Sequence, residues 1–360
     1  MKPLTLTSGL ARLGSVAASR SANPILGSVL MEHDDGGSLR MTTTDAETWL
    51  SVSFPSSSYD LPRCAVDFKT FRAAIKGCRT LPNLSLEDGR LTVGARTLAT
   101  MDARDFPAAP KVGPLLKSWG PVAAEIGTVA IAASQDIART GLNGVYLDPK
   151  GGIVATDGHR LHSTVIARDG KLPADWYAGR LDVIVPRDPC VLLGKLKGAE
   201  RGRFDFDASA LSFAGPNWSM TARVPMGDAT FPDWRQVVPS SCERSVVCRA
   251  ADLADAATRA ISVYGRAGRA PIVKLDCNGS IAWSARFEDV SEAGDVPARK
   301  DGPDILIGLN PRYLLDALRA VAGSNPAGAV QLRIGDALSP VVLRGIERHR
   351  AAVVMPMRIE

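Results

Sequence analysis

The chain has 360 residues, 45% apolar and 22% charged, with a formal net charge of +5 at pH 7. That composition calls for a globular, core-forming protein of two or three domains. A charge of +5 neither requires nor excludes a nucleic-acid partner, so the placement of the cations must decide. The six cysteines form no C-x-x-C pair, and none of the four histidines sits at ligand spacing to one, so zinc and other cofactors are not expected. Scattered thiols fit a reducing compartment. With no leader pattern at Met1-Lys2-Pro3 and no long apolar run, a cytoplasmic protein without membrane association is expected.

In chain order, an opening helix carries Arg12 and Arg20, and a strand at Gly27-Ser28-Val29-Leu30 leads to Thr44-Asp45. Asp67 can cap a second helix, in which Phe68, Phe71, Ile75 and Cys78 make an apolar stripe. Lys69, Arg72, Lys76 and Arg79 repeat that spacing one residue on, so they form a cationic stripe about 100° round the helix. A turn at Glu87-Asp88-Gly89, a strand at Leu91-Thr92-Val93 and a closing Asp105-Phe106-Pro107 follow.

The pattern then recurs. Gly144-Val145-Tyr146-Leu147 leads to Thr156-Asp157, and Val185-Pro186-Arg187-Asp188 opens a helix with Arg187, Lys195 and Lys197 around Leu192, Leu193 and Leu196. Phe204-Asp205-Phe206 and Thr230-Phe231-Pro232 close that stretch. Next come a helix near Asp252 to Tyr264 with Arg259, then Arg266 and Arg269, then a strand at Ile272-Val273-Lys274-Leu275. Asn310 and Pro311 start a last helix with Leu314, Leu318 and Val321 on one face and Arg312, Asp316 and Arg319 on another. Val341-Val342-Leu343 and Val354-Met355-Pro356 finish the chain.

The helix starts at Val66, Val185 and Leu309 are offset by 119 and 124 residues, and Phe106, Phe231 and Met355 by 125 and 124. Equal periods in two independent sets of marks imply a threefold repeat of about 120 residues. The expected domains are 1–117, 118–240 and 241–360, each α+β with two helices packed on antiparallel sheet. Recurring cations without clustered aromatics favour sequence-independent phosphate contact over base stacking.

Asp157 and His159 invite a reading as an acid–histidine pair, and so a hydrolase. No nucleophile elbow, H-E-x-x-H or phosphate-binding loop accompanies them, and a turn histidine is the simpler account. The terminal Val353-Val354-Met355-Pro356-Met357 reads as a last strand followed by a methionine-rich rim suited to varied apolar partners.

Two segments, Ala155-Thr156-Asp157-Gly158-His159-Arg160-Leu161 and Val353-Val354-Met355-Pro356-Met357-Arg358-Ile359-Glu360, resemble the bacterial sliding clamp family, the beta subunit of DNA polymerase III. Pro24-Ile25-Leu26-Gly27, Asp105-Phe106-Pro107, Leu142-Asn143-Gly144, Val183-Ile184-Val185-Pro186-Arg187 and Phe231-Pro232-Asp233-Trp234-Arg235 extend the likeness, in order, over the whole chain. The resemblance implies a clamp fold whose three domains form a six-domain ring as a homodimer. It also implies a non-catalytic processivity factor on double-stranded DNA. Its partners would be the polymerase III alpha subunit, the clamp loader and other proteins with clamp-binding motifs.

By resemblance, Arg20 and Arg139 contact DNA; the cation pattern adds Lys69, Arg72, Lys76, Arg79, Lys195 and Lys197. The implied peptide pocket uses Leu142, Thr156, Gly158, His159, Arg160, Leu161, Pro232, Val237, Asn310, Tyr313, Leu338, Val353, Val354, Met355, Pro356, Met357 and Arg358. Gln236, where some members have arginine, and Ala270, where an aromatic can stand, alter the expected rim. They leave open a divergent clamp paralogue, inhibitor-tolerant or decoy.

Overall fold

The computed structural model describes residues 6–17, 22–33, 37–54, 61–78, 80–165, 182–227, 229–265, 270–323, 325, 328–345 and 349–359. The chain opens with α1 (Leu6–Leu13), β1 (Ser28–His33), β2 (Leu39–Thr44), β3 (Thr48–Phe54), β4 (Cys64–Asp67), α2 (Phe68–Ala74), β5 (Leu84–Glu87), β6 (Arg90–Val93) and β7 (Arg96–Met101). It continues with α3 (Gly120–Val129), β8 (Gly144–Leu147), β9 (Gly152–Thr156), β10 (Arg160–Val165), β11 (Val183–Pro186), α4 (Arg187–Lys195), β12 (Arg201–Asp205), β13 (Ala210–Gly215) and β14 (Trp218–Arg223). The last stretch holds β15 (Arg244–Arg249), α5 (Ala250–Tyr264), β16 (Val273–Cys277), β17 (Ile281–Phe287), β18 (Val290–Val296), β19 (Ala298–Asp301), β20 (Ile305–Leu309), α6 (Pro311–Ala322), β21 (Ala329–Ile334), β22 (Val341–Gly345) and β23 (Arg350–Val354). Helices and antiparallel sheets are segregated as the α+β expectation requires.

The contacts divide the chain into two compact units, Met1–Ala124 with Leu192–Met226, and Glu125–Val191 with Gly227–Glu360. In the first unit one ten-stranded sheet runs β12-β13-β14-β3-β2-β1-β4-β7-β6-β5. In the second a nine-stranded sheet runs β11-β8-β9-β10-β23-β22-β21-β15-β19, beside a four-stranded sheet β18-β17-β16-β20. Each large sheet therefore joins strands from distant parts of the sequence, through β3–β14 and β10–β23.

Period-2 burial explains the strands. On β21, Val330, Leu332 and Ile334 are buried while the residues between them are not. In the second unit α5 and α6 pack together. Leu253, Ala256, Ala257 and Ala260 of α5 share a core with Leu314, Ala317, Leu318 and Val321 of α6 and with Leu275, Trp283, Leu332 and Leu343 of the sheets. Asn310 caps α6 by accepting from the Arg312 N–H at 2.9 Å, with Pro311 in the first turn. Among the described residues no helix is long and apolar enough to cross a membrane.

The helix after Asp67 is shorter than its periodicity suggests. Asp67 caps it, accepting from Thr70 N–H at 2.7 Å, and Phe68, Phe71 and Ile75 are buried. α2 nevertheless ends at Ala74, and Gly77 has a left-handed φ of 91° that a continuing helix does not tolerate. Lys69 and Arg72 stand on α2, Lys76 lies in the turn beyond it, and Arg79 lies outside the described residues.

Two charged groups tie α3 to the edge of β23. Arg350 donates to both carboxylate oxygens of Glu125, at 2.9 and 2.6 Å, with both side chains nearly buried. Nearby, His162 of β10 is 1% exposed. Burial first, then the Arg160 charge, pushes its imidazole down to about 3, while the Thr128 backbone opposes the shift. Its folded value therefore lies below the unfolded value of about 6.5. The linked stability is complete above about pH 6.5 and drains as pH falls towards 3. Between pH 7 and 4.5 this group should cost roughly 2 kcal/mol. A His162→Leu protein should lose less stability than wild type over that interval, as read by urea denaturation at each pH; parallel pH profiles would refute the assignment.

Candidate functional site

The turn between β9 and β10 is built by side chains that accept backbone N–H groups. Thr156 Oγ1 accepts from Gly158 N at 3.1 Å and donates to Arg160 O at 2.6 Å. Asp157 Oδ1 accepts from His159 N at 2.9 Å and Arg160 N at 3.0 Å. Gly158 sits at φ 90°, where a side chain would be strained. This is an Asx-type turn written directly in Thr-Asp-Gly.

Arg160 then closes the turn on itself and holds it to two distant elements. Its Nε donates to Asp157 Oδ2 at 3.0 Å, its Nη1 to Asp316 Oδ2 of α6 at 2.6 Å, and its Nη2 to the Ile131 carbonyl at 2.8 Å. Its guanidinium lies 4.6 Å from the centroid of the Tyr313 ring. The side chain is only 9% exposed, so Arg160 is a cross-brace whose donors are already engaged. Burial, then the Asp157 charge, raises the Tyr313 phenol above its ordinary value. His159 is exposed and stacks on Tyr313 with ring centroids 6.3 Å apart.

These contacts remove the hydrolase reading. Asp157 Oδ1 serves two backbone N–H groups and Oδ2 serves Arg160, so the carboxylate does not orient the His159 ring as a base.

The chain terminus forms the facing wall. β23 pairs with β10 from Arg160↔Val354 to Thr164↔Arg350. Met355 N continues the ladder to His159 O at 2.9 Å, and Met357 N donates to Gly308 O at 2.8 Å. Between turn and terminus lies a cavity of about 130 Å³, lined by Leu142, Thr156, Gly158, Arg160, Leu161, Pro232, Trp234, Val237, Val353 and Met355. The lining is mostly apolar, as a site for an aliphatic or aromatic side chain requires.

Nine of the expected pocket residues thus meet around one cavity. Others stand apart from its lining. Asn310 caps α6, Tyr313 and His159 stack beside the turn, and Val354 is wholly buried in the core of the second unit. Leu338, 59% exposed, lies on the loop between β21 and β22, and Pro356 and Met357 continue the terminal strand. Arg358 lines a second, larger hollow of about 750 Å³, as does Ala270, so Ala270 does not belong to this rim. That hollow mixes Lys274, Arg286, Glu288 and Glu292 and lacks the apolar character of the smaller cavity.

Trp234 was not among the residues expected in the lining. Its indole N–H donates to Asp148 Oδ2 at 3.2 Å, and Arg235 both pairs with that carboxylate at 2.7 Å and covers the ring at 4.5 Å. Its place beside Pro232 in the sequence was the available signal. Gln236 donates to Asp233 Oδ2 at 3.0 Å rather than lining the cavity.

The expected phosphate contacts distribute differently. Lys69, Arg72, Lys76, Lys195 and Lys197 of the first unit are exposed and have no ion-pair partner among the described residues. Arg139 in the second unit is exposed, with Asp136 3.5 Å away. Arg259 is engaged with Glu292 at 2.6 Å. Arg20, Arg266 and Arg269 lie outside the described residues.

The family model for the C-terminal domain of the DNA polymerase III beta subunit matches residues 235–358. Over 100% of its length the chain is similar to the beta sliding clamp of Pseudomonas aeruginosa, at 28% identity and 97% coverage of that relative. The C-terminal third thus matches the DNA polymerase III beta subunit family, and the whole chain is similar to beta sliding clamps. The Escherichia coli beta sliding clamp is likewise 28% identical, with 100% of this chain and 97% of the relative covered. A Pseudomonas aeruginosa sliding clamp structure bound to griselimycin superposes with a TM-score of 0.78 at 25% identity, covering 99% of this chain and 98% of that one.

The Arg160 brace is open to a stability test. Arg160→Ala leaves the half-buried Asp157 and Asp316 without their cation, and should cost roughly 3 kcal/mol. Arg160→Lys should recover little of it, because an ammonium cannot reproduce the three-way fork. Chemical denaturation of both variants reads this; a cost under about 1 kcal/mol in Arg160→Ala, the range of an exposed pair, would contradict the brace.

Proposed function

We propose that this chain is a DNA sliding clamp, a non-catalytic processivity factor that encircles duplex DNA and tethers the replicative polymerase through the cavity between the β9–β10 turn and the C-terminal strand. That cavity is the observation that carries the reading: an apolar slot, beside a braced turn and an extended terminal segment, suits a short extended peptide. The occupants are short motifs of the polymerase III alpha subunit, the clamp loader and other clamp-binding proteins, in the cytoplasm. Leu142, Thr156, Gly158, Arg160, Leu161, Pro232, Val237, Val353 and Met355 form the slot. His159, Tyr313, Leu338, Pro356, Met357 and Arg358 extend it along a longer peptide, with Asn310 and Val354 supporting it from beneath.

The strand pairing supports assembly as a homodimer. The third strand after the first helix of each repeat is β3, β10 or β18, and the last strand is β7, β14 or β23. β3 pairs with β14 and β10 with β23, the last strand of the following repeat in each case. The same rule leaves β18 and β7. Among the described residues β18 pairs only with β17, and β7 meets β4 only through Thr100 and Met101. A second copy completes both edges, β18 of each chain against β7 of its partner, and two such contacts close a ring of six similar domains. The domains are 1–117, 118–240 and 241–360.

Topology then holds the protein on DNA, so contacts from Arg20, Lys69, Arg72, Lys76, Arg79, Arg139, Lys195 and Lys197 need only be weak and sequence-independent. Loaded protein should remain on nicked circular DNA and run off once the circle is cut; equal retention on both would sink the topological mechanism. In a Lys69→Ser, Arg72→Ser, Lys76→Ser protein, the slope of log binding constant against log salt should flatten by about 0.9 for each phosphate that the protein ceases to neutralise. An unchanged slope in fluorescence anisotropy would remove this face from the DNA interface.

A further inference from the structure

The first unit contains the same turn as the docking site. Thr44 Oγ1 accepts from Ala46 N at 2.9 Å, and Asp45 Oδ1 accepts from Glu47 N at 3.0 Å and Thr48 N at 2.6 Å. Ala46 takes φ 75°, where the second unit has Gly158 at 90°. The neighbouring strand is also equivalent. Thr48 pairs with Ala222 as Arg160 pairs with Val354, and Arg223 N donates to Glu47 O at 2.8 Å as Met355 N donates to His159 O at 2.9 Å. Even the hydrophobic clusters beneath correspond: Leu30, Ala65 and Phe106 below one turn, Tyr146, Ile184 and Phe231 below the other.

The side chains on this shared frame differ, with Thr48, Thr221 and Arg223 where the second unit has Arg160, Val353 and Met355, and the largest change is at the floor. Thr44 is cross-strand from Trp49, whereas Thr156 is cross-strand from Leu161, which lines the cavity. Trp49 is 3% exposed. Its indole N–H donates to the Pro107 carbonyl at 2.8 Å, and Pro107 is the repeat equivalent of the pocket-lining Pro232. Arg223, standing where the pocket has Met355, covers the ring at 5.3 Å. The indole thus stands at the register position that lines the cavity in the second unit, and it is pinned there by a hydrogen bond and a cation.

We propose that Trp49 is the residue that limits docking to one pocket per chain, acting as a built-in occupant of a second, repeat-equivalent groove that would otherwise accept an extended apolar peptide. The proposal rests on the reading of the second-unit cavity as a peptide site. Leucine at position 49 gives the first groove the floor residue of the second, and methionine at 223 gives it one wall residue, while Thr48 and Thr221 still stand where the second has Arg160 and Val353. A Trp→Leu change in a close-packed cluster leaves a cavity rather than collapsing fully.

The test titrates the full-length protein with acetyl-Ser-Leu-Ser-Leu-Phe-amide in a calorimeter and reads the number of sites. Wild type should bind one peptide per chain, Leu161→Trp none, and Trp49→Leu with Arg223→Met two. The Trp49→Leu, Arg223→Met, Leu161→Trp protein should bind one again. No binding by wild type overturns the docking reading itself. One site in wild type and still one in a Trp49→Leu, Arg223→Met protein with native circular dichroism and a cooperative melt overturns the plug alone. If Trp49→Leu fails to fold, Trp49→Phe with Arg223→Met keeps an aromatic in the cluster, vacates the outer part of the indole's place, and is read by the same count of sites.

Discussion

Backbone pairing between distant strands is the constraint on which the rest of this structure depends. A β-strand edge exposes N–H and C=O groups that must find partners or water. Here β10 meets β23 over five residue pairs, and β3 meets β14 in the same way. That register puts His159 O against Met355 N, so the terminal methionines lie beside the Gly158 turn. A slip of one residue would send every side chain of β23 to the opposite face. Val353 would leave the cavity wall and Val354 would leave the core.

Arg160 adds a second layer to that constraint. Backbone pairing aligns two strands but does not fix the turn above them. By engaging Asp157, Asp316 and the Ile131 carbonyl together, one nearly buried guanidinium sets the turn against α6 and against the segment after α3. Arginine suits this because its donors form a rigid, planar fork. The slot beside it can then stay largely apolar, with orientation supplied by a frame that is already in place.

Repetition explains both the economy of the fold and its asymmetry. Two Thr-Asp turns share hydrogen bonds, strand register and underlying clusters, yet one is open over Leu161 and the other is filled by Trp49. A duplicated frame therefore need not mean duplicated sites. On this reading the side chains at two neighbouring positions, Trp49 and Arg223, decide whether the frame holds a guest or holds itself.

Much of this was legible in the chain. Helix and strand patterns implied an α+β fold, Asp67 and Asn310 announced two helix starts, and Thr156-Asp157-Gly158 announced a turn, because caps and turns are local chemistry. The stop of α2 at Ala74, although its apolar stripe continues to Ile75, also has a local cause in Gly77. Local signals failed where the deciding group lay elsewhere. Arg160 finds its carboxylate 156 residues away on α6, and Trp234 finds Asp148 86 residues away. Ala270 borders a different hollow from the pocket rim on which the resemblance placed it. The sequence by itself determined which segments turn, cap and alternate, because those follow from neighbours within a few residues. Only the tertiary structure decided which turns face a terminal strand, which guanidiniums are consumed as braces and which groove stays empty, because each depends on side chains brought together across the sheet.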